Sequence, residues 1–378
     1  MRDMTGAWSG MRGISAVPSY VVMQPTTLCN LACGYCYLPF RRDNLKMPVE
    51  VAEKVAASVS GFARTQQRFS VVWHGGEPLA AGLDHLAALF APFGASVEHH
   101  VQTNATLIDD AWCEFFREHD VRVSVSVDGP RQRNGDRVDR GNRPAYDLIV
   151  KGIDTLRRHD IPFSALCVVS DPRPGVATEL YDYFLDLGCE VLGINVEELE
   201  GVNTRLNRHD PAAVSAFWAE LVGAWRQAPR IHLREVEWSL RYAAAVLDGT
   251  ADELLPRRLD PIPTVAHDGS VVLLSPELAG FSDPRYGDFA SGNVLRTPLT
   301  EILAGAAGTP WIAEFLRGIE SCRNSCPYFG FCGGAHAANR YFEHGRFDVT
   351  ETDHCRNSKI RLLEGVLDHA RDHEATAV

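Results

Sequence analysis

The 378-residue chain has no massed basic segment, no apolar run of membrane length and no apolar core near its start. Its net charge is −12 with the basic residues scattered, which argues against a nucleic-acid footprint or a membrane anchor. The opening stretch MRDMTGAWSGMRGIS lacks the apolar segment of a secretory signal. Residues 1–16 read as a flexible N-terminal tail, and the expected address is cytoplasmic, where thiols stay reduced. Ten cysteines in that setting point to metal ligands or small buried hydrophobes rather than disulfides.

What is present, from residue 19 onward, is a repeating strand-then-helix pattern. SYVVMQP, FSVVWHGG, VEHHVQTN, VRVSVSVDG, FSALCVVS and EVLGINVEE read as strands. Helices are expected after each, over about 48–64, 79–91, 109–119, 145–159, 176–187 and 211–227. Six such units imply parallel strands joined by right-handed crossovers. The fold class is therefore α/β, a partial (β/α)6 barrel of parallel strands with a smaller C-terminal iron–sulfur domain. The barrel is assigned to 17–230. Pro229, Pro256, Pro261 and Pro263 break the pattern, so 231–262 reads as a linker and 263–378 as the second domain. In such folds the chemistry sits at the C-terminal ends of the strands.

The cysteines fall into two tight groups. Cys29, Cys33 and Cys36 lie in CNLACGYC directly after the first strand, whereas Cys322, Cys326 and Cys332 lie in CRNSCPYFGFC, with Cys355 after a 22-residue gap. Cys113, Cys167 and Cys189 stand alone and read as buried packing residues. Three thiolates are one short of closing a zinc site or a cubane, and on a cubane they leave one iron open to a chelating ligand. Four thiolates suffice to close either a 4Fe–4S cluster or an all-cysteine zinc site, and spacing alone does not choose between them.

CNLACGYCY resembles the signature loop of radical S-adenosylmethionine (SAM) enzymes, including the aromatic Tyr35 before the last cysteine. The resemblance implies a 4Fe–4S cluster on Cys29, Cys33 and Cys36 with SAM on its fourth iron. SAM cleavage would give a 5′-deoxyadenosyl radical that abstracts hydrogen from substrate. VVWHGGEP is similar to that family's glycine-rich segment, implying that Gly75 and Gly76 approach the SAM amino group and that Glu77 offers a counter-charge. QTNATLI and VSVDGP are similar to its third- and fourth-strand segments, which suggests Asn104 near the cofactor and Ser126 near its ribose. Asp128 fits equally as a turn residue. Arg137 is the candidate for the SAM carboxylate, with Arg140 as its substitute.

The second cysteine group resembles the SPASM extension of peptide-modifying radical SAM enzymes. His336 stands where that extension has a cysteine, and HDGSVVLLSPEL has none. The expectation is one auxiliary 4Fe–4S cluster on Cys322, Cys326, Cys332 and Cys355, with His336 a relic or a packing residue. QPTTLCNLACGYCYLP, INVEELEGVN and SPELAG look similar to maturases that cross-link ribosomal peptides as cyclophanes. Sulfatase-maturing enzymes that make formylglycine are the alternative, and a non-enzymatic metal scaffold leaves the GGEP segment without purpose.

Forming a bond to an aromatic ring requires a base for the ring proton. Glu197, Glu198, Glu277, Asp283 and Asp288 are the candidates. The partners the resemblance implies are a precursor peptide and an external ferredoxin- or flavodoxin-type electron donor. The peptide's leader would add to an exposed sheet edge, with a separate leader-recognition protein as the other option.

Overall fold

The computed structural model describes residues 13–63, 69–205, 208–256 and 258–375. Six parallel strands form its centre: β1 (Tyr20–Met23), β2 (Phe69–Trp73), β3 (Val97–Thr103), β4 (Arg122–Ser126), β5 (Phe163–Val169) and β6 (Val191–Val196). The helices between and after them are α1 (Val49–Ala63), α2 (Leu83–Phe90), α3 (Asp110–Glu118), α4 (Tyr146–Arg158), α5 (Val176–Leu187) and α6 (Pro211–Gln227). Their starts follow from local chemistry. The Asp109 carboxylate accepts from Trp112 N at the head of α3, and Asp210 accepts from Ala213 N with Pro211 in the first turn of α6.

Along β2 and β5 burial alternates residue by residue, the period expected of a pleated strand. The fully buried set, including Val71, Trp73, Ala165 and Cys167, shares one core with residues of the crossover helices. The opposite set, including Gln102, Ser126, Leu166 and Val168, lines a large cavity. Cys113, Cys167 and Cys189 are buried in the core, as expected for packing thiols.

Three sequence-based boundaries need correction. The segment 231–262, read as linker, contains β7 (His232–Leu233), parallel to β6, and α7 (Arg234–Leu247). Pro229 and Pro256 flank this helix instead of interrupting it, and its inner face buries Glu235, Val236, Ser239 and Ala245. Within the expected tail, Ile14 pairs with Leu259, and Ser15 N donates to the Leu259 carbonyl at 2.8 Å; residues 1–12 lie outside the described residues. The sheet also runs past residue 263. Strand β8 (Thr264–Val265) joins β1 in parallel, followed by antiparallel β9 (Ser270–Val272) and β10 (Gly292–Asn293). The order is β10-β9-β8-β1-β2-β3-β4-β5-β6-β7, an open sheet of ten strands.

The C-terminal part is helical: α8 (Leu299–Ala304), α9 (Pro310–Ser325), α10 (Phe329–Cys332), α11 (Ala337–His344), α12 (Asp353–Cys355) and α13 (Arg361–Ala375). Helix α13 packs on α6 where Gly365 leaves room, since a Cβ there would lie 2.5 Å from the Ser215 carbonyl oxygen. Among the described residues no helix is long and apolar enough to cross a membrane.

Candidate active site

The loop after β1 is fixed from several sides. Cys29 N donates to the Arg41 carbonyl, Ala32 N to Val138, and Gly34 N to Asp136, at 2.7–2.9 Å. The Arg140 guanidinium donates twice to the Cys29 carbonyl, at 2.8 and 3.0 Å. Asn104 Nδ2 donates to Asn30 Oδ1 at 2.9 Å and lies 3.9 Å from Cys29 Sγ. The loop thereby presents Cys29, Cys33 and Cys36 to one cavity of about 600 Å³. Burial pushes the Cys29 thiol up to about 12 and the Cys33 thiol to about 11. A metal cluster that binds thiolate would supply what these sites otherwise lack. Among the described residues no three His, Cys, Asp or Glu side chains close around a single ion, so the thiols frame a wider space.

Asp128 is more than a turn residue. It is 3% exposed and binds Arg137 through both carboxylate oxygens at 2.9 and 3.0 Å. It also accepts from Tyr35 Oη at 2.6 Å and Val168 N at 3.0 Å. The predicted SAM-carboxylate ligand thus has Nε and Nη2 committed to Asp128, and Arg137 meets the cavity beside Tyr35, its guanidinium carbon 5.5 Å from that ring's centre. Arg140, the substitute, is committed to the loop backbone and does not line the cavity.

Glu77 is likewise occupied. It is 1% exposed and accepts from Thr103 Oγ1 at 2.6 Å, Asn104 N at 2.8 Å and Leu79 N at 3.1 Å. Burial still pushes its carboxyl up to about 7. Gly76 has a positive φ of 64°, and a Cβ there would meet the Leu28 and Thr26 carbonyl oxygens at 2.6 Å. The glycine therefore admits the cysteine loop's own backbone as well as facing the cavity. Gly75 packs on Gln24 and does not line the cavity. Asn104 and Ser126 do, with Ser126 Oγ accepting from Gln102 Nε2 at 2.8 Å.

Of the five base candidates, Glu197, Glu198 and Glu277 reach the cavity. Asp283 and Asp288 do not: Asp283 accepts from Arg285 N and the Tyr341 hydroxyl, and Asp288 from Ala290 N. Both close turns in the segment before β10, which explains acids there without chemistry. Glu197 accepts from Asn203 Nδ2 at 3.2 Å, and its Oε2 has no hydrogen-bond partner. Glu198 lies 2.8 Å from His354 Nδ1 and accepts from Asn339 Nδ2 at 2.7 Å. Burial opposes its ionisation, yet these partners outweigh it and hold the carboxyl below its ordinary range. Glu277 is pushed up to about 7 by burial and by the neighbouring charge of Glu198.

Sequence reasoning missed much of this wall. Glu200 shares the Asn339 amide with Glu198 and is raised by burial and that neighbour. Tyr37 Oη meets His74 Nε2 at 2.9 Å. Arg234, Glu235, Trp238, His354 and Lys359 complete the lining. Tyr37 and His74 directly follow Cys36 and precede Gly75, a positional signal; the others come from segments read as linker or tail helix. His336 also lines this cavity, edge-on to His354 with ring centres 5.2 Å apart. Burial drives its imidazole down to about 3.

A separate pocket is lined by Cys322, Cys326, Cys332 and Cys355, with Arg340 beside them and His336 not among its walls.

Residues 23–172 match the family model described as the radical SAM superfamily, and the chain belongs to that superfamily of enzymes. Its chemistry uses a 4Fe–4S cluster and SAM. An uncharacterised Synechocystis sp. protein is 33% identical over 364 residues, covering 92% of this chain and 90% of its own length. A serine-type anaerobic sulfatase-maturating enzyme of Klebsiella aerogenes is 34% identical over 229 residues, 56% of this chain and 55% of the relative. The chain thus spans about half the length of the sulfatase-maturating relatives it matches. Two solved structures share the fold. The enzyme anSMEcpe with bound AdoMet has a TM-score of 0.70 at 20% identity, over 94% of this chain and 97% of the other. Streptococcus suis SuiB bound to precursor peptide SuiA has 0.65 at 16% identity, over 90% and 76%.

Proposed function

We propose that this enzyme matures a ribosomally made precursor peptide, abstracting hydrogen from an unactivated C–H bond of a peptide residue and forming an intrapeptide cross-link of the cyclophane type. The observation that carries this reading is the cavity that holds the three loop thiols and the buried acids Glu198, Glu200 and Glu277 together. Its volume of about 600 Å³ lies within the usual range of ligand sites, about 300–1,000 Å³. SuiB, which shares the fold, is known bound to its precursor peptide.

The thiols of Cys29, Cys33 and Cys36 fit a 4Fe–4S cluster with one open iron, and SAM bound there supplies the oxidising, hydrogen-abstracting chemistry. Tyr35, Gly76, Asn104, Ser126 and the free edge of Arg137 form the SAM side of the cavity. Glu277 is the base that takes the ring proton, since a carboxyl titrating near 7 matches the working pH. Glu198, fixed by His354 and Asn339, keeps the neighbouring charge that raises it. The four C-terminal thiols hold one auxiliary cluster, and an external ferredoxin- or flavodoxin-type donor supplies electrons.

The second reading is formylglycine formation, favoured by the 34% identity to the Klebsiella aerogenes enzyme. One experiment separates the two. A short peptide encoded beside the gene is co-expressed with the enzyme, and its product is analysed by fragmentation mass spectrometry and a hydrazine trap. A product two hydrogens lighter, inert to hydrazine and resisting backbone fragmentation between the joined residues, is expected. A hydrazine-reactive aldehyde would transfer the assignment to formylglycine formation. Iron and sulfide content, with release of 5′-deoxyadenosine, tests the shared chemistry. Alanine at Cys29, Cys33 and Cys36 together should lower iron from about eight to about four per protein molecule and abolish the nucleoside; zinc without iron would overturn both readings.

A further inference from the structure

Arg340 lies on α11 and is 2% exposed, one of the largest fully buried residues in the molecule. Its donors engage backbone carbonyls and one sulfur. Nη1 donates to Phe347 O at 2.9 Å and, more weakly, to Phe315 O at 3.4 Å. Nη2 donates to Gly334 O at 2.8 Å and to Cys322 Sγ at 3.3 Å. The guanidinium carbon sits 4.8 Å from the centre of the Phe315 ring. The pocket it lines is that of the four C-terminal thiols.

A buried guanidinium needs an anion, because carbonyl dipoles and an aromatic face do not neutralise a full charge taken out of water. Among the described residues no carboxylate forms an ion pair with Arg340. Asp348, in the same region, is bound by Arg346 at 2.5 and 2.7 Å. The anions available are the thiolates of Cys322 and its partners, and these exist as anions when they bind metal. The fold also leaves room for the guanidinium at this sulfur: a Cβ on Gly318 of α9 would lie 2.1 Å from Arg340 Nη1 and 2.7 Å from the Phe347 carbonyl oxygen.

We infer that Arg340 is the internal counter-ion of the C-terminal cluster, positioned by its hydrogen bond to Cys322 Sγ to raise that cluster's reduction potential. The inference rests on the auxiliary cluster proposed above. A fully ligated cubane carries net negative charge that grows on reduction, so a fixed positive charge and a hydrogen bond to a ligating sulfur both favour the reduced form. Arg340 touches neither substrate nor SAM and acts through the cluster.

The test uses the full-length protein with alanine at Cys29, Cys33 and Cys36, which leaves one cluster to observe. About four irons per molecule in that protein establish the auxiliary cluster; their absence defeats the underlying reading and not this inference alone. Arg340→Gln, Arg340→Lys and Gly318→Ala are then made in this background and poised anaerobically at set potentials. The reduced fraction is read by electron paramagnetic resonance. Arg340→Gln is expected to shift the oxidised-to-reduced ratio at least about tenfold toward oxidised, about 59 mV for a one-electron couple. Gly318→Ala, which keeps the charge but displaces it, should shift in the same direction by less. An Arg340→Gln midpoint equal to the parent's overturns the inference. Should Arg340→Gln fail to hold iron, Arg340→Lys decides: iron restored by the retained charge supports the counter-ion role, and iron lost there too overturns it.

Discussion

Replacing Asp128 with alanine would remove the carboxylate that faces Arg137, with side-chain exposures of 2% and 6% for the pair. The buried guanidinium would then lack its partner, a change that costs about 3–5 kcal/mol when one member of such a pair is deleted. Tyr35 Oη would lose its acceptor as well, freeing the aromatic residue between Cys33 and Cys36. Unfolding entropy of about 2.1 cal/mol/K per residue gives about 0.8 kcal/mol/K for 378 residues. The expected fall in melting temperature is therefore about 4–6 °C if the protein melts as one unit. Anaerobic calorimetry reads that shift, and iron analysis should show the first-loop iron lost while the C-terminal iron stays. The double variant Asp128→Ala/Arg137→Met, with no charge left to strand, should recover part of the stability but not the iron. A single variant melting within about 1 °C of the parent, with its iron intact, would refute the claim that this pair clamps the cysteine loop.

Glu277→Gln should retain 5′-deoxyadenosine release while peptide cross-linking falls by about 10²-fold or more; equal loss of both would show that Glu277 serves the cofactor instead. In the parent, cross-linking should rise as pH passes through 7, where Glu277 ionises. Gly76→Ala would press a methyl group onto the Leu28 and Thr26 carbonyls, so first-loop iron should be lost with the second site intact, which iron counting after reconstitution checks. Glu77 is raised from 4.5 to about 7 in the folded protein. Its contribution to stability is thus full below pH 4.5 and lost as pH rises through 7. Glu77→Gln should flatten the stability profile across that window in denaturant titrations, and an unchanged slope would count against burial as the cause of the shift.

Much of the fold was legible in the amino-acid sequence itself. Period-two runs ending in cysteine, glycine or asparagine mark β1 to β4, and Asp109, Asp210 and Pro211 announce α3 and α6, because strand pleat and helix capping are local properties. CNLACGYC identified the first metal loop for the same reason: three thiols within one loop need no distant partner to be recognised. The four C-terminal thiols were legible as a set, although their choice of metal was not.

What only the tertiary structure decided concerns groups far apart in sequence. Arg137 looked like a ligand and is instead clamped by Asp128, while Glu77 is held by Thr103 and the backbone of Asn104 and Leu79. Helix α7 fell in a proline-flanked stretch that reads as linker, yet its buried face and its Arg234, Glu235 and Trp238 complete the cavity. Glu198 meets His354 and Asn339, 156 and 141 positions away, through a sheet that runs on past the expected boundary. Which acids face a cavity and which close a turn, as Asp283 and Asp288 do, depends on where the fold brings them together. So does the charge of a buried group: solvent exclusion and through-space partners set it, and neither is written in the neighbouring letters.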